Sequence, residues 1–418
     1  MREAHRLLAP GAGPLAARLI LARALRGFAD GFVSVFLAAY LSALGFSPLE
    51  VGALVTAALL GSAALTLAVG LAAHRLSPRH VLLGASALML ATGAGFAGVT
   101  DFWWLLAIAF VGTLNPSAGD VSVFLPTEQA LLSSAVPARG RTALFARYNL
   151  GGALLGALGA LASGLPELLA GRLGLGLAPV LRASFAVYAA AALGIALLYR
   201  GLPAPAAAPR AGPAPAGLPP RPLARSRRVV LELSALFSLD SFGGGFAVQS
   251  LLALWLFQRF DLSLRAAGGV FFAAGLLSGF SQLLSARLAR RIGLIRTMVY
   301  THLPANAFLI AAGLMPTAPW AVTFLLLRMA LSQMDVPARQ SFVMAVVPPE
   351  ERAAAASVTN VPRSLATALA PLLAGALLGY SSFGWPLILG GALKIAYDLL
   401  LLARFRAAEP AEEEPGRG

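Results

Sequence analysis

Apolar runs of about 20 residues recur along this chain, each long enough to cross the ~30 Å hydrocarbon core of a bilayer. The first six lie near 19–42, 49–72, 79–99, 102–133, 139–164 and 178–200. Six more lie near 228–258, 262–288, 292–314, 317–346, 350–380 and 383–405. Short polar turns separate them. The alternating pattern of a membrane β-barrel, apolar and polar in short segments, is absent. The pattern predicts an all-α membrane protein with twelve transmembrane helices. The first run is too long for a signal peptide and has no clear small-residue cleavage site, so it reads as a retained helix. Between the two sets lies 201–228, rich in Pro, Ala and Arg, expected to be a semi-extended cytoplasmic linker. Residues 406–418 form an acidic tail expected to be disordered.

One polar pattern occurs twice. Pro126, Gln129, Val136, Pro137, Arg141 and Asn149 recur as Pro337, Gln340, Val347, Pro348, Arg352 and Asn360. Every position is displaced by the same number of residues, without a gap. Such a register indicates an internal repeat. Residues 1–200 and 229–405 are therefore expected to form two related six-helix bundles.

Arginine placement orients the spans. Arg75 and Arg79 follow span 2, Arg139 and Arg141 follow span 4, and Arg287, Arg290, Arg291 and Arg296 follow span 8. The linker is also arginine-rich, while the alternate loops 45–50, 100–101, 317–319 and 380–386 contain no Lys or Arg. The positive-inside rule puts both termini and the linker in the cytoplasm, which an even number of spans satisfies. All five tryptophans, Trp103, Trp104, Trp255, Trp320 and Trp385, then fall at outer helix ends, as an interfacial aromatic belt would.

Composition agrees with a bilayer solvent. The chain is 58% hydrophobic and 12% charged, with mean hydropathy +0.78. A soluble domain carries about 25% charged residues. The net charge of +14 sits in short loops, which argues against a nucleic-acid partner. The chain has no cysteine, so thiolate chemistry and cysteine metal sites are excluded. No metal and no cofactor is expected. The high Arg, Ala and Gly content fits a high-GC bacterium, and the expected location is the bacterial inner membrane.

Six spans, a cytoplasmic linker and six related spans resemble the major facilitator superfamily of secondary transporters. The family's loop after span 2 has a degenerate counterpart in Gly70, His74, Arg75, Pro78 and Arg79. Arg287, Arg290, Arg291 and Gly293 form a similar loop after span 8. Both lack the family's acid, which leaves the subfamily open. The resemblance implies that spans 1, 4, 7 and 10 line a central cavity. Substrate would bind near the midplane, with access alternating between the two sides.

Charge in the middle of a bilayer costs at least ~2.5–3.5 kcal/mol, so each such residue needs a reason. Asp30, Asp120, Asp240 and Asp335 fall near the middle of spans 1, 4, 7 and 10. Asp30-Gly-Phe and Asp240-Ser-Phe look like repeat mates. These carboxylates are candidates for binding a proton, a cationic substrate, or both in turn. Arg26 lies one turn from Asp30 and Arg328 two turns from Asp335, so each acid also has a candidate neutralising partner. Asn115, Pro116, Ser117, Gly119 and Ser122 around Asp120 predict a broken, hydrated helix. Lys394 and Asp398 read as a structural i,i+4 pair in span 12.

In the repeated stretch, Pro126 and Pro337 are expected to kink spans 4 and 10 alike. Glu128 and Arg339 occupy equivalent repeat positions with opposite charge. They are candidates for an inner gate; the alternative is pairing within each half, for instance Glu128 with Arg147. Asn149 and Asn360 are expected to bond across helices. Gly151–Gly159 and Gly243–Gly245 are expected to permit close helix approach. There is no P-loop lysine and no nucleophile–base pair, so ATP drive and enzymatic activity are not expected.

These features describe a secondary transporter of small solutes in the lipid bilayer, monomeric, coupling export of drug-like or organic compounds to protons. Nutrient uptake is one alternative. A sensor or scaffold with a transporter fold is another.

Overall fold

The computed structural model describes residues 13–72, 76–117, 123–136, 138–202, 223, 225–348 and 351–405. Most of the linker, the acidic tail, His74, Arg75 and Asp120 lie outside the described residues. Every described element is a helix.

Eight of the predicted spans are single helices: α1 (Pro14–Ala43), α2 (Pro48–Ala72), α3 (Pro78–Gly98), α8 (Leu177–Arg200), α11 (Leu264–Ile292), α12 (Leu294–Leu314), α15 (Arg352–Tyr380) and α16 (Trp385–Phe405). The other four are broken. Span 4 is α4 (Phe102–Val111) and α5 (Phe124–Ser134), and span 5 is α6 (Ala138–Ala162) and α7 (Leu165–Leu173). Span 7 is α9 (Arg227–Gly245) and α10 (Gln249–Phe260), and span 10 is α13 (Ala318–Leu331) and α14 (Asp335–Val346).

Local chemistry explains the ends. Ser77 caps α3 by accepting from the His80 amide, with Pro78 at the first helical position. Asp101 caps α4 by accepting from the Trp103 and Trp104 amides at 3.0 and 3.3 Å. Gly174 closes α7 in the left-handed region at φ +64°. Three glycines, Gly243, Gly244 and Gly245, end α9, where weak helix propensity favours a break.

The two repeat prolines do not kink continuous helices. Pro126 is the third residue of α5 and Pro337 the third of α14, each just after a full break. In a first turn the missing amide has no intrahelical partner to lose, so proline is tolerated there. The repeat thus holds in detail: both prolines start a new half-helix.

The helices form two compact units. The first comprises residues 1–212, 247–276 and 368–385, and the second 213–246, 277–367 and 386–418. In the first unit α1 packs closely on α6. A Cβ on Gly27 would strike the backbone of Gly152, one on Gly31 that of Gly156, and one on Gly159 that of Phe28. The glycine tract of α6 therefore does bring two backbones together. Phe36 packs edge-on against Phe32 and Phe185, Tyr40 packs edge-on against Phe185, and Phe96 lies tilted against Phe185. The unit also takes in α10 and the ends of α11 and α15. Gln249 Nε2 donates to Ser34 Oγ at 2.9 Å, and the Ser250 amide to the Pro116 carbonyl at 3.1 Å. Gly52 of α2 meets Gly375 of α15 backbone to backbone.

The second unit has a core of Leu233, Phe237, Met298, Phe342, Tyr397 and Leu401. Gly243 meets Gly390 of α16 closely enough that neither position has room for a Cβ.

Two surface expectations are corrected. Trp103, Trp104, Trp320 and Trp385 are exposed, but Trp255 is completely buried, packed edge-on against Phe260 at 5.4 Å. It belongs to the core of α10, not to an aromatic belt. Asn149 and Asn360 lie on exposed helix faces and do not serve as interhelical hydrogen-bonding glue.

Candidate functional site: two buried ion clusters

Each unit buries a cluster of charge. In the first, Glu128 of α5 is fully buried and Arg26 of α1 is 2% exposed. Arg26 Nη2 donates to Glu128 Oε2 at 2.5 Å. The Tyr148 hydroxyl donates to the same oxygen at 2.5 Å, and the Tyr199 hydroxyl to Oε1 at 2.6 Å. The Arg26 guanidinium also lies over the Phe124 ring, 4.7 Å from its centroid. Burying the two ions costs several kcal/mol each, and such a pair persists only when further hydrogen bonds satisfy its lone pairs. The two tyrosines supply them.

Asp30, one turn after Arg26, is buried on the same helix and accepts from Asn115 Nδ2 at 3.3 Å. Asn115 sits in the break of span 4, where its own oxygen accepts from the amide and hydroxyl of Ser117. The expected Arg26–Asp30 pair is not the one formed. Arg26 instead turns toward Glu128, which approaches from α5.

The second cluster centres on Asp240 of α9, 4% exposed. Lys394 Nζ of α16 lies 2.6 Å from Asp240 Oδ1 and 3.3 Å from the Asp240 carbonyl. Arg339 Nη1 of α14 lies 3.1 Å from Asp240 Oδ2 and 3.4 Å from Asp335 Oδ2. His302 of α12 bridges two acids. Its Nε2 is 3.7 Å from Asp240 Oδ1 and its Nδ1 2.8 Å from Asp398 Oδ1. Asn306 Nδ2 donates to the other Asp398 oxygen at 3.0 Å. Arg363 Nε of α15 donates to Ser241 Oγ at 2.8 Å, beside Asp240 in sequence.

Several pairings differ from those expected. Lys394 takes Asp240, not Asp398, because Gly243 and Gly390 let α9 and α16 approach closely enough for the lysine to cross. Asp398 takes His302 and Asn306 instead. Asp335 pairs with Arg339 one turn later, not with Arg328 across the α13–α14 break. Glu128 takes Arg26, not Arg147, and Arg339 takes Asp240 and Asp335. Each member of the expected Glu128–Arg339 gate is thus held by carboxylates or cations of its own unit. Asp240 and Asp335 are not isolated acids, which removes the ground for a cationic solute at those two positions.

The clusters are mirror images in charge. In both units the first span of a sequence half is tied to the fourth by a buried ion pair. The cation sits on the first span in one unit (Arg26) and on the fourth in the other (Arg339). Sequence reading missed His302, Tyr148, Tyr199 and Arg363, and misassigned Lys394. The available signal was polarity inside apolar spans, which His302 and Lys394 both carry.

Helical spans broken at mid-length, with charge buried between them, define a polytopic membrane transporter. The chain belongs to the Major Facilitator Superfamily, whose family model matches residues 19–361. It is 25% identical over 413 residues to the uncharacterized membrane protein YJR124C of Saccharomyces cerevisiae, covering 91% of this chain and 92% of that one. Among solved structures, the nucleoside transporter NupG superposes with TM-score 0.71 at 14% identity, covering 94% of this chain and 99% of that one. A bacterial homolog of the human lysosomal transporter Spinster, inward-facing and unoccupied, gives TM-score 0.71 at 16% identity, covering 95% and 98%. The chain is therefore a multi-pass secondary transporter of small solutes, not an enzyme.

Proposed function

We propose that this protein exports organic compounds in exchange for protons across a bacterial inner membrane, with the Asp240 cluster as the coupling site. The halves 1–200 and 229–405 rock about a shared pathway, and the arginine-rich loops and linker 201–228 face the cytoplasm. The observation that carries the reading is Asp240 itself. It is an intramembrane carboxylate contacted by Lys394, Arg339 and His302 from three different spans. Ionisable groups at such depth mark ion pathways and proton relays. A proton arriving on Asp240 cancels its charge, loosens both salt bridges and frees α9 to shift against α14 and α16. Asp398 and His302 form the adjoining link of the relay. What favours organic compounds is the apolar and aromatic sequence of spans 1, 4, 7 and 10.

The test uses proteoliposomes of the purified protein. An imposed pH gradient should drive uphill solute movement in wild type. In Asp240→Asn uphill movement should be lost while solute exchange down its own gradient persists. Gradient-driven accumulation by the Asn variant equal to wild type would remove Asp240 from coupling.

A further inference from the structure

Where the chain enters α9, the second unit carries a basic patch that the Asp240 cluster does not use. Arg225, Arg227 and Arg228 stand exposed there, and with Leu231 and Glu232 they line a cavity of about 490 Å³. The acid in this wall is already taken. Arg228 Nε and Arg404 Nη2 both donate to Glu232 Oε1 at 3.0 Å, and Arg404 Nε donates to Oε2 at 3.1 Å. Glu351, just before α15, brings a second carboxylate, but it is turned to the chain at the start of α9. It accepts from the Arg225 and Ser226 amides at 2.9 and 3.0 Å and from the Ser226 hydroxyl at 2.5 Å. Four arginines, counting Arg404, thus stand against two carboxylates that are both engaged. Among the described residues the side chains of Arg225 and Arg227 meet no carboxylate within 4 Å.

The backbone under the patch is pinned. Glu351 ties the start of α9 to α15, and Glu232 ties its second turn to the end of α16 through Arg404. The cavity is therefore held open while two guanidinium groups at its edge remain free to bind. Its level in the bilayer follows from length. Residues Arg227–Phe260 form a 34-residue apolar span. At 1.5 Å per residue that is about 51 Å, well beyond the ~30 Å hydrocarbon core. The first turn of α9 accordingly lies in the headgroup layer. Leu231 follows Arg227 by four residues and Arg228 by three, so it shares their face one turn deeper, and it is 49% exposed. Cations at headgroup level above an exposed apolar side chain match an amphiphile with an anionic head. Guanidinium forks bind phosphate through paired N–H donors, and basic pockets at the ends of membrane helices hold lipid headgroups.

We infer that this cavity binds the headgroup of an anionic phospholipid, with its phosphate on Arg225 and Arg227 and an acyl chain along Leu231. The site is independent of the export reading and of the proton relay, and holds whatever solute is carried.

The experiment is native mass spectrometry of the purified full-length protein in detergent, titrated with phosphatidylglycerol. Phosphatidylcholine with the same acyl chains is the zwitterionic counterpart. Wild type should bind phosphatidylglycerol severalfold more tightly. Each arginine near an anionic headgroup contributes about 5-fold in affinity, so Arg225→Gln with Arg227→Gln should lose about 25-fold. Phosphatidylcholine binding should not change. Arg290→Gln with Arg291→Gln, exposed arginines in the last turn of α11, should leave the tight phosphatidylglycerol site intact. Leu231→Gln should weaken phosphatidylglycerol severalfold, and it reads the site independently should the double variant fold poorly. The site is overturned if phosphatidylglycerol binds no better than phosphatidylcholine, or if Leu231→Gln binds it as wild type does. Equal losses in the two arginine pairs would make the attraction diffuse and overturn it too. Inorganic phosphate that displaces the lipid, beyond the effect of sodium chloride at equal ionic strength, would mark a free-anion site instead. A severalfold gain in phosphatidylglycerol affinity on removing residues 406–418 would make the acidic tail the occupant, and the lipid site would fall.

Discussion

Lys394 places its ammonium 2.6 Å from Asp240 Oδ1, reaching from the last span to the seventh although an acid, Asp398, sits one turn away on its own helix. Gly243 and Gly390 bring α9 against α16 at the depth where the lysine crosses, and Asp398 is occupied by His302 and Asn306. The pair ties α9 to α16.

Removing one member of this pair should hurt more than removing both. Lys394→Met leaves Asp240 short of its nearest cation, and breaking a buried pair costs about 3–5 kcal/mol. Lys394→Met combined with Asp240→Asn leaves less uncompensated charge and should recover part of the lost unfolding temperature. Thermal unfolding in detergent of the two single variants and the double checks this. A double variant less stable than either single would count against the pairing.

Glu128 is expected to be a structural anchor. Glu128→Gln leaves Arg26 buried without its counter-charge, at about 3–5 kcal/mol. Tyr199→Phe removes one hydrogen bond to a charged group, about 1.5–3 kcal/mol. Folded yield and unfolding temperature should rank wild type above Tyr199→Phe, and that above Glu128→Gln. The exchange Arg26→Glu with Glu128→Arg should restore part of the loss.

The seam between α1 and α6 predicts a steric pattern. A methyl on Gly31 meets the Gly156 carbonyl, whereas one on Gly84 meets nothing within 4 Å. Gly31→Ala should cost about 1–3 kcal/mol by overpacking. Gly84→Ala should be neutral or slightly stabilising, since alanine is the better helix former. Equal unfolding temperatures for the two would contradict the close approach.

The absence of native cysteine makes single-cysteine labelling direct. Ser34 is completely buried where α10 joins α1, with Gln249 donating to its hydroxyl. A maleimide should therefore label Ser34→Cys slowly. Gly375→Val would crowd Gly52 and loosen the packing of α15 on α2 in the same unit. Labelling of Ser34→Cys should then accelerate severalfold. An unchanged rate would mean that the α2–α15 contact does not protect Ser34.

His302 stands between Asp240 and Asp398, and imidazole is a common proton shuttle. His302→Gln should weaken proton-driven transport while leaving solute exchange measurable. Proton-driven transport equal to wild type would exclude the histidine from the relay.

What the sequence determined by itself is what depends on local composition. Span lengths follow from hydrocarbon thickness, so all twelve apolar runs reappear as helices or pairs of half-helices. The break around Asn115 was legible because Asn-Pro-Ser cannot continue an apolar helix cheaply. The repeat was legible because Pro126 and Pro337 keep one register, and both open a half-helix. That Asp30, Asp240 and Asp335 are buried also followed, since charge in an apolar span has few other places to go.

Only the tertiary structure decided which charge meets which. Arg26 has Asp30 one turn away yet pairs with Glu128, and Lys394 has Asp398 yet pairs with Asp240. Spacing along a helix lists the candidates. The winner is set by how closely two backbones approach, and here glycines on facing helices govern that distance.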